Sequence, residues 1–245
     1  MEKISATIIT LNEEGNITDC LKSVSWADEI IVSDSGSVDR TVEICRDAGA
    51  KVFTDAWLGF GAQKNLCASR ARNRWVFNID ADERVSPGLR DEIAGCDFEK
   101  YDGFFVPRKN HFAGRWVRRG GWYPDYNLRL YNKEAGGFGD RAVHEAVRVK
   151  GHCARLSNPL VHYTYTGVDD YLRRMERYST LAAKEMNKAG KNASVVDIAL
   201  RPAFTFFKMY VLKLGFLDGA TGMTLARLYA AYTREKYLKL KDMKR

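Results

Sequence analysis

Short apolar runs alternate with amphipathic stretches along the first third of the chain. Ile4 to Leu11 predicts a strand, closed by the polar group Asn12, Glu13 and Glu14. Ile17, Cys20, Leu21 and Val24 then recur at helical spacing, so one face of the following helix is apolar. Glu29 to Val32 predicts a second strand that runs into Ser33-Asp34-Ser35-Gly36-Ser37-Val38-Asp39. A helix capped by Ser37 or Asp39, with Val42, Cys45 and Ala48 inward, stops at Gly49. Lys51 to Phe53 predicts a third strand, and a helix opens at Gly59-Phe-Gly-Ala-Gln-Lys-Asn65 and runs through Ala71. Trp75, Val76, Phe77 and Ile79 predict a buried strand ending in Asp80, Asp82 and Glu83. Such β-α alternation points to a mostly parallel sheet covered by helices.

Beyond residue 83 the pattern changes. One helix is predicted over Pro87 to Ala94, then short strands at 103–107, 128–131, 143–149 and 160–163 between glycine-rich turns. Residues 115–126 are dense in arginine and aromatics, a composition suited to sugars or anions, although Trp116 and Trp122 could equally be core. A helix follows over Tyr171 to Ala189, then the apolar stretch Ala203 to Leu217, then a helix from Thr221 to Leu240. The expected organisation is a domain over 1–165, split into halves 1–83 and 84–165, and a helical region over 166–245.

Charge changes the picture only at the end of the chain. Of the formal net charge of +8, seven units come from residues 201–245, which hold ten Lys or Arg and three Asp or Glu. The apolar stretch is interrupted by Lys208 and Lys213 and is shorter than the roughly 18 apolar residues a bilayer span needs. Apolar faces flanked by Lys236, Lys239, Lys241, Lys244 and Arg245 suit a helix lying on anionic lipid, with a helical hairpin packed on the preceding domain or on a second subunit, a homodimer, as the competing expectation. No nucleic-acid motif accompanies the charge, so a nucleic-acid partner is not expected. The five cysteines are odd in number and lack metal-type spacing, and the chain opens on a strand rather than a basic, apolar leader; both point to a reducing, cytoplasmic setting.

The chemistry sits in three places. Asp80, Asp82 and Glu83 would stand beyond the carboxyl end of a parallel strand, where ligands bind, and a hard cation such as Mg²⁺ would relieve their repulsion. Asp34 occupies a similar strand end, where a carboxylate suits a ribose hydroxyl or the N–H edge of a base. Glu145 follows His144 and a strand-like segment. Neither a Gly-x-Gly-x-x-Gly nor a P-loop is present, which speaks against dinucleotide and NTPase chemistry.

Ala6 to Glu14, Val32 to Thr41, Gln63-Lys64-Asn65 and Asn78 to Glu83, in that order, resemble the family 2 inverting glycosyltransferases of the GT-A fold. Trp122 to Tyr131, Val143-His-Glu145 and Gly215 to Gly219 are similar to the bacterial branch that adds a hexose to the inner core of lipopolysaccharide, typified by the heptose β-1,4-glucosyltransferase. The resemblance implies a GT-A sheet with a C-terminal helical extension and an inverting, metal-dependent transfer of a hexose, with glucose as the expected sugar, from a UDP-sugar to lipopolysaccharide. The enzyme would work peripherally at the cytoplasmic face of the inner membrane. By the same resemblance Thr10, Asn12, Glu14, Asp34, Lys64 and Asp80 would meet the donor nucleotide, and Asp82 with Asp80 would hold Mg²⁺ or Mn²⁺. Trp122, Arg129 and His144 would face the acceptor, His144 with a metal role as its alternative, and Glu145 would be the general base. Another glycolipid or exopolysaccharide acceptor, or a non-catalytic nucleotide-binding protein of the same fold, is the alternative reading.

Overall fold

The computed structural model describes residues 2–139 and 146–243, which fall into two compact units. The first comprises residues 1–108 and 126–162, and the second residues 109–125 and 163–245.

The first unit is built on β1 (Ile4–Thr10), β2 (Glu29–Asp34), β3 (Lys51–Thr54) and β4 (Trp75–Asn78), joined by α1 (Glu14–Ser23), α2 (Thr41–Asp47) and α3 (Phe60–Ser69). β1 pairs in parallel with β2 and with β4, and β2 in parallel with β3. Ile4, Ala6, Ile8 and also Ser5 and Thr7 of β1 are buried, as expected of a central parallel strand covered on both faces. The helices lie inward through Ile17, Cys20 and Leu21 of α1 and Cys45 of α2, which join Trp75, Phe77 and Ile79 in one core.

The expected single strand through Glu83 divides in two. β4 stops at Asn78, and β5 (Glu83–Val85) leaves in another direction to pair antiparallel with β12 (Leu160–Tyr165). After α4 (Pro87–Ala94), capped by Ser86 accepting from the Leu89 N–H and carrying Pro at its first turn, come β6 (Gly103–Phe112), β7 (Arg115–Trp116), β8 (Asp125–Asn132), β9 (Gly136–Phe138), β10 (Val147–Val149) and β11 (Cys153–Arg155). The sheet runs β3-β2-β1-β4-β8-β6-β12-β5, and β8 pairs antiparallel with β4, so the parallel half gives way to an antiparallel one at β4.

The second unit holds α5 (Val168–Lys188), α6 (Val195–Phe207) and α7 (Gly219–Asp242), with a π-helical turn over 208–212 and a 3₁₀ turn over 215–218 in the expected apolar stretch. Its core joins Val117 and Trp122 to Tyr171, Met209, Leu225 and Leu228. Residues 109–125, expected in the acceptor half, thus pack with the C-terminal helices. Asp218 explains how: its Oδ2 accepts the N–H groups of Arg118 at 3.1 Å and Arg119 at 2.8 Å. α7 crosses the 3₁₀ turn at Gly222, where an added Cβ would lie 1.8 Å from the Gly215 carbonyl oxygen, so only glycine permits the approach.

Candidate active site

The parallel register brings the carboxyl ends of β1 and β2 level, with Thr10 opposite Asp34. Asp34 is buried, at 1% exposure, and both its oxygens are occupied. Oδ1 accepts the hydroxyls of Thr10 at 3.0 Å and Ser37, and Oδ2 accepts the N–H groups of Gly36 at 2.9 Å and Ser37 at 2.8 Å. Gly36 has φ of 93°, which the tight loop around the carboxylate demands. Asp34 was expected to read the base or ribose; here its four acceptor positions are spent on shaping the loop. Asn12 and Glu14 staple the two loops together. The Asn12 N–H donates to Ser37 Oγ and its Oδ1 accepts from the Val38 N–H, both at 2.8 Å, while Glu14 accepts from the Arg40 N–H at 3.0 Å.

Gln63, Lys64 and Asn65 each make a different anchor for α3. Gln63 Nε2 donates to Ser33 Oγ at 2.6 Å, and Asn65 exchanges two hydrogen bonds with the Phe138 backbone, at 2.9 and 2.8 Å. Between them Lys64, 5% exposed, puts its Nζ 2.9 Å from Asp80 Oδ1.

Asp80 is the hub of the acidic turn. Its other oxygen accepts from Arg129 Nη2 at 2.9 Å, and Arg129 also donates to Asn78 Oδ1 at 3.2 Å and to Glu83. Burial alone would raise the Asp80 carboxyl, but the Lys64 and Arg129 charges outweigh it and hold the group well below the usual carboxylate range. Burial likewise disfavours the Arg129 cation, and Glu83 and Asp80 more than compensate, so its pKa is raised.

Glu83, expected at the crevice mouth, has no exposed surface. It accepts the Asp80 N–H at 3.0 Å, its own N–H returns to the Asp80 carbonyl at 3.0 Å, and Arg108 lies 3.6 Å away. The turn 80–83 is therefore closed on itself over a cationic floor.

Asp82 stands apart from that network. Its Oδ2 lies 3.4 Å from Nε2 of His162 on β12, with side-chain exposures of 19% and 12%. Among the described residues no group of three His, Cys, Asp or Glu gathers to hold a metal, and Asp82 with His162 is a carboxylate–imidazole pair able to contribute to one. A carboxylate with one imidazole suits Mn²⁺, the remaining positions falling to water and phosphate oxygens. Asp80 fits that part less well, since each of its oxygens already faces a cation. His162 was missed because it reads as an ordinary strand residue; its place opposite Glu83 in the β12–β5 register, one residue from Asp82, becomes visible only in the pairing.

The expected acceptor residues fare differently. Arg129 is 5% exposed and belongs to the floor beneath the acidic turn rather than to an open acceptor surface. Trp122 is 6% exposed and packs against Tyr165 and Tyr229, the core alternative. His144 and Glu145 lie outside the described residues.

The loops that follow β1 and β2 and the acidic turn that follows β4 thus stand at the carboxyl ends of parallel strands, where open α/β sheets bind ligands. The sequence profile of Glycosyl transferase family 2 matches residues 5–154. An uncharacterized glycosyltransferase of Rickettsia felis is 33% identical over 99% of this chain and 93% of its own length. The lipopolysaccharide core biosynthesis glycosyltransferase LpsC of Rhizobium meliloti is 28% identical over 96% of this chain and 93% of its own. Among solved structures, S. aureus TarS superposes with a TM-score of 0.51 at 19% identity, covering 99% of this chain and 55% of that one. The chain belongs to glycosyltransferase family 2, its fold is the GT-A fold, and it is a glycosyltransferase.

Proposed function

We propose that the protein transfers a hexose from a UDP-sugar to a lipopolysaccharide-core or related glycolipid acceptor, with inversion and with a divalent cation. The observation that carries the cation is Asp82 paired with His162 beside an acidic turn whose other carboxylates are already neutralised. The likeness to LpsC supports the acceptor class, and the resemblance of the motifs to inverting enzymes supports the stereochemistry.

The chain's residues divide the work as follows. The loops closed by Thr10, Asn12 and Asp34 form the seat of the nucleoside. Asp82 and His162 would hold the cation, which would supply positive charge against that developing on the departing diphosphate. Lys64 and Arg129 keep Asp80 ionised and the turn in place, so that the site is preorganised before the donor enters. The acceptor hydroxyl attacks the anomeric carbon, the bond from that carbon to the diphosphate oxygen breaks, and the nucleoside diphosphate departs with the electron pair. The hydroxyl proton passes to a carboxylate, the part that the motif resemblance offers Glu145; a positioned base contributes about 10²- to 10⁴-fold.

The test is UDP release from UDP-glucose, UDP-galactose and UDP-N-acetylglucosamine, with Mn²⁺, Mg²⁺ or EDTA, with and without truncated lipopolysaccharide. Release from one donor, dependent on metal and stimulated by acceptor, is expected. Asp82→Asn and His162→Ala should each raise the Mn²⁺ concentration for half-maximal rate by about ten-fold or more. Full activity of both variants in EDTA would refute the metal assignment, and release of pyrophosphate in place of UDP would refute the reaction.

A further inference from the structure

Helix α6 has no buried residue, although its sequence is strongly apolar. Val196, Leu200, Phe204, Phe207 and Val211 follow one another at intervals of four, four, three and four, so they form one stripe, and they are 61, 64, 59, 47 and 41% exposed. The turns that follow extend it with Leu214, Phe216 and Leu217, at 41, 45 and 58%. Contiguous exposed apolar surface of this kind marks an interaction site.

A cationic fringe borders the stripe within the same unit. Lys208 and Lys213 are exposed on the stripe's own turns. Arg118 and Arg119 join them from a distant part of the chain, because Asp218 binds both their N–H groups and the Gly120 N–H donates to the Lys213 carbonyl at 2.9 Å. Asp218 is thereby engaged, and the other acid of the segment, Asp197, is paired with Arg201.

At the basic end of α7, where lipid contact was expected, Lys239 and Lys236 are engaged within the unit, and Lys244 and Arg245 lie outside the described residues. Lys239 Nζ bonds Glu176 at 2.6 Å and Ser179 and Thr180 at 2.9 Å, and Leu225, Leu228, Tyr237 and Leu240 turn inward. Lys236 lies over the Tyr232 and Tyr237 rings.

We propose that the α6 stripe and its fringe form a docking surface for a bilayer of anionic lipid. The apolar side chains enter the acyl boundary, and Lys208, Lys213, Arg118 and Arg119 meet headgroup phosphates. No described helix is long and apolar enough to cross a membrane. A second copy is a poorer occupant, since a two-fold contact would set the same cations against each other with no spare acid between them. The inference does not depend on the donor or the acceptor sugar.

Flotation of the full-length protein with phosphatidylglycerol-containing and pure phosphatidylcholine vesicles tests it. Binding to the anionic vesicles alone, weakened by salt, is expected. The double substitutions Phe204→Ser/Leu217→Ser and Lys208→Glu/Lys213→Glu should each lower the bound fraction at least ten-fold, while Lys188→Glu on α5 leaves it unchanged. Should the serine variant misfold, the lysine pair decides the matter. Equal binding by every variant, or no vesicle binding, overturns the proposal. So does light scattering that shows a dimer dissolved by the serine pair, which would make the stripe a subunit contact.

Discussion

Arg129 reaches across 49 residues of sequence to donate to Asp80, and the same guanidinium meets Glu83, which has no contact with solvent. One buried cation thus sits beneath two carboxylates of the turn that presents Asp82. Removing one partner of such a pair costs more than the pair contributes, because the other charge is left buried and uncompensated.

Arg129→Met should therefore destabilise the protein by about 3–5 kcal/mol. Arg129→Lys should recover only part of this, since a single ammonium cannot span Asn78, Asp80 and Glu83 as the planar guanidinium does. Urea unfolding measures both. A Met variant within 1 kcal/mol of wild type, on the order of a surface substitution, would show that the network is not structural.

The Asp80 carboxyl predicts a pH dependence whose sign is fixed by its depressed pKa. The folded state binds this proton less readily than the unfolded chain, so the contribution to stability is complete above the unfolded carboxylate value of about 3.9 and is lost as pH falls through the lower folded value. Lys64→Met removes one of the charges that hold the group down. Its Asp80 carboxyl should titrate at higher pH than in wild type, read from carboxyl carbon shifts by NMR, and acid unfolding should begin at higher pH. Identical titration curves in the two proteins would refute the role given to Lys64.

Much of this arrangement was legible in the chain itself. The apolar runs of β1, β2 and β4 identified the parallel sheet and the strand ends at which the polar loops stand, because local alternation decides where a buried parallel strand must be. The fate of Glu83 was not legible. Three acids after an apolar run look alike in sequence, and what separates them is the register of β8 and β12, which brings Arg129 to Glu83 and His162 to Asp82. Pairing partners of such strands lie far along the chain, so no local pattern announces them. Trp122 illustrates the same limit: an aromatic among arginines resembles a binding platform until Tyr165 and Tyr229 are found against it.

Gly222 offers a test of the second unit alone. Its added Cβ would meet the Gly215 carbonyl oxygen at 1.8 Å and carbonyl carbon at 2.8 Å, both backbone atoms that no side-chain rotation can clear. Gly222→Ala should lower stability by about 1–3 kcal/mol or more through overpacking, although alanine favours helices elsewhere. The control is Gly15→Ala in α1, where nothing lies within 4 Å. A higher melting temperature for Gly222→Ala would mean that α7 does not approach the 3₁₀ turn as closely as found.

Asp34 separates two roles that a motif alone confounds. A carboxylate at the end of β2 suits a ribose or base, yet its oxygens accept from Thr10, Ser37 and two backbone N–H groups, which fills their capacity. Under the proposed function, Asp34 would therefore act on the nucleotide through the loop it shapes. Asp34→Asn removes the charge from the four hydrogen bonds and makes one oxygen an amide donor to which the Thr10 and Ser37 hydroxyls must turn their lone pairs, so it should cost about 1–3 kcal/mol of stability and weaken UDP binding with it. Because no direct contact to the base is lost, affinities for UDP, GDP and ADP should fall by similar factors in calorimetric titrations. A variant of unchanged melting temperature that no longer distinguishes UDP from the purine nucleotides would return Asp34 to the base and overturn this assignment.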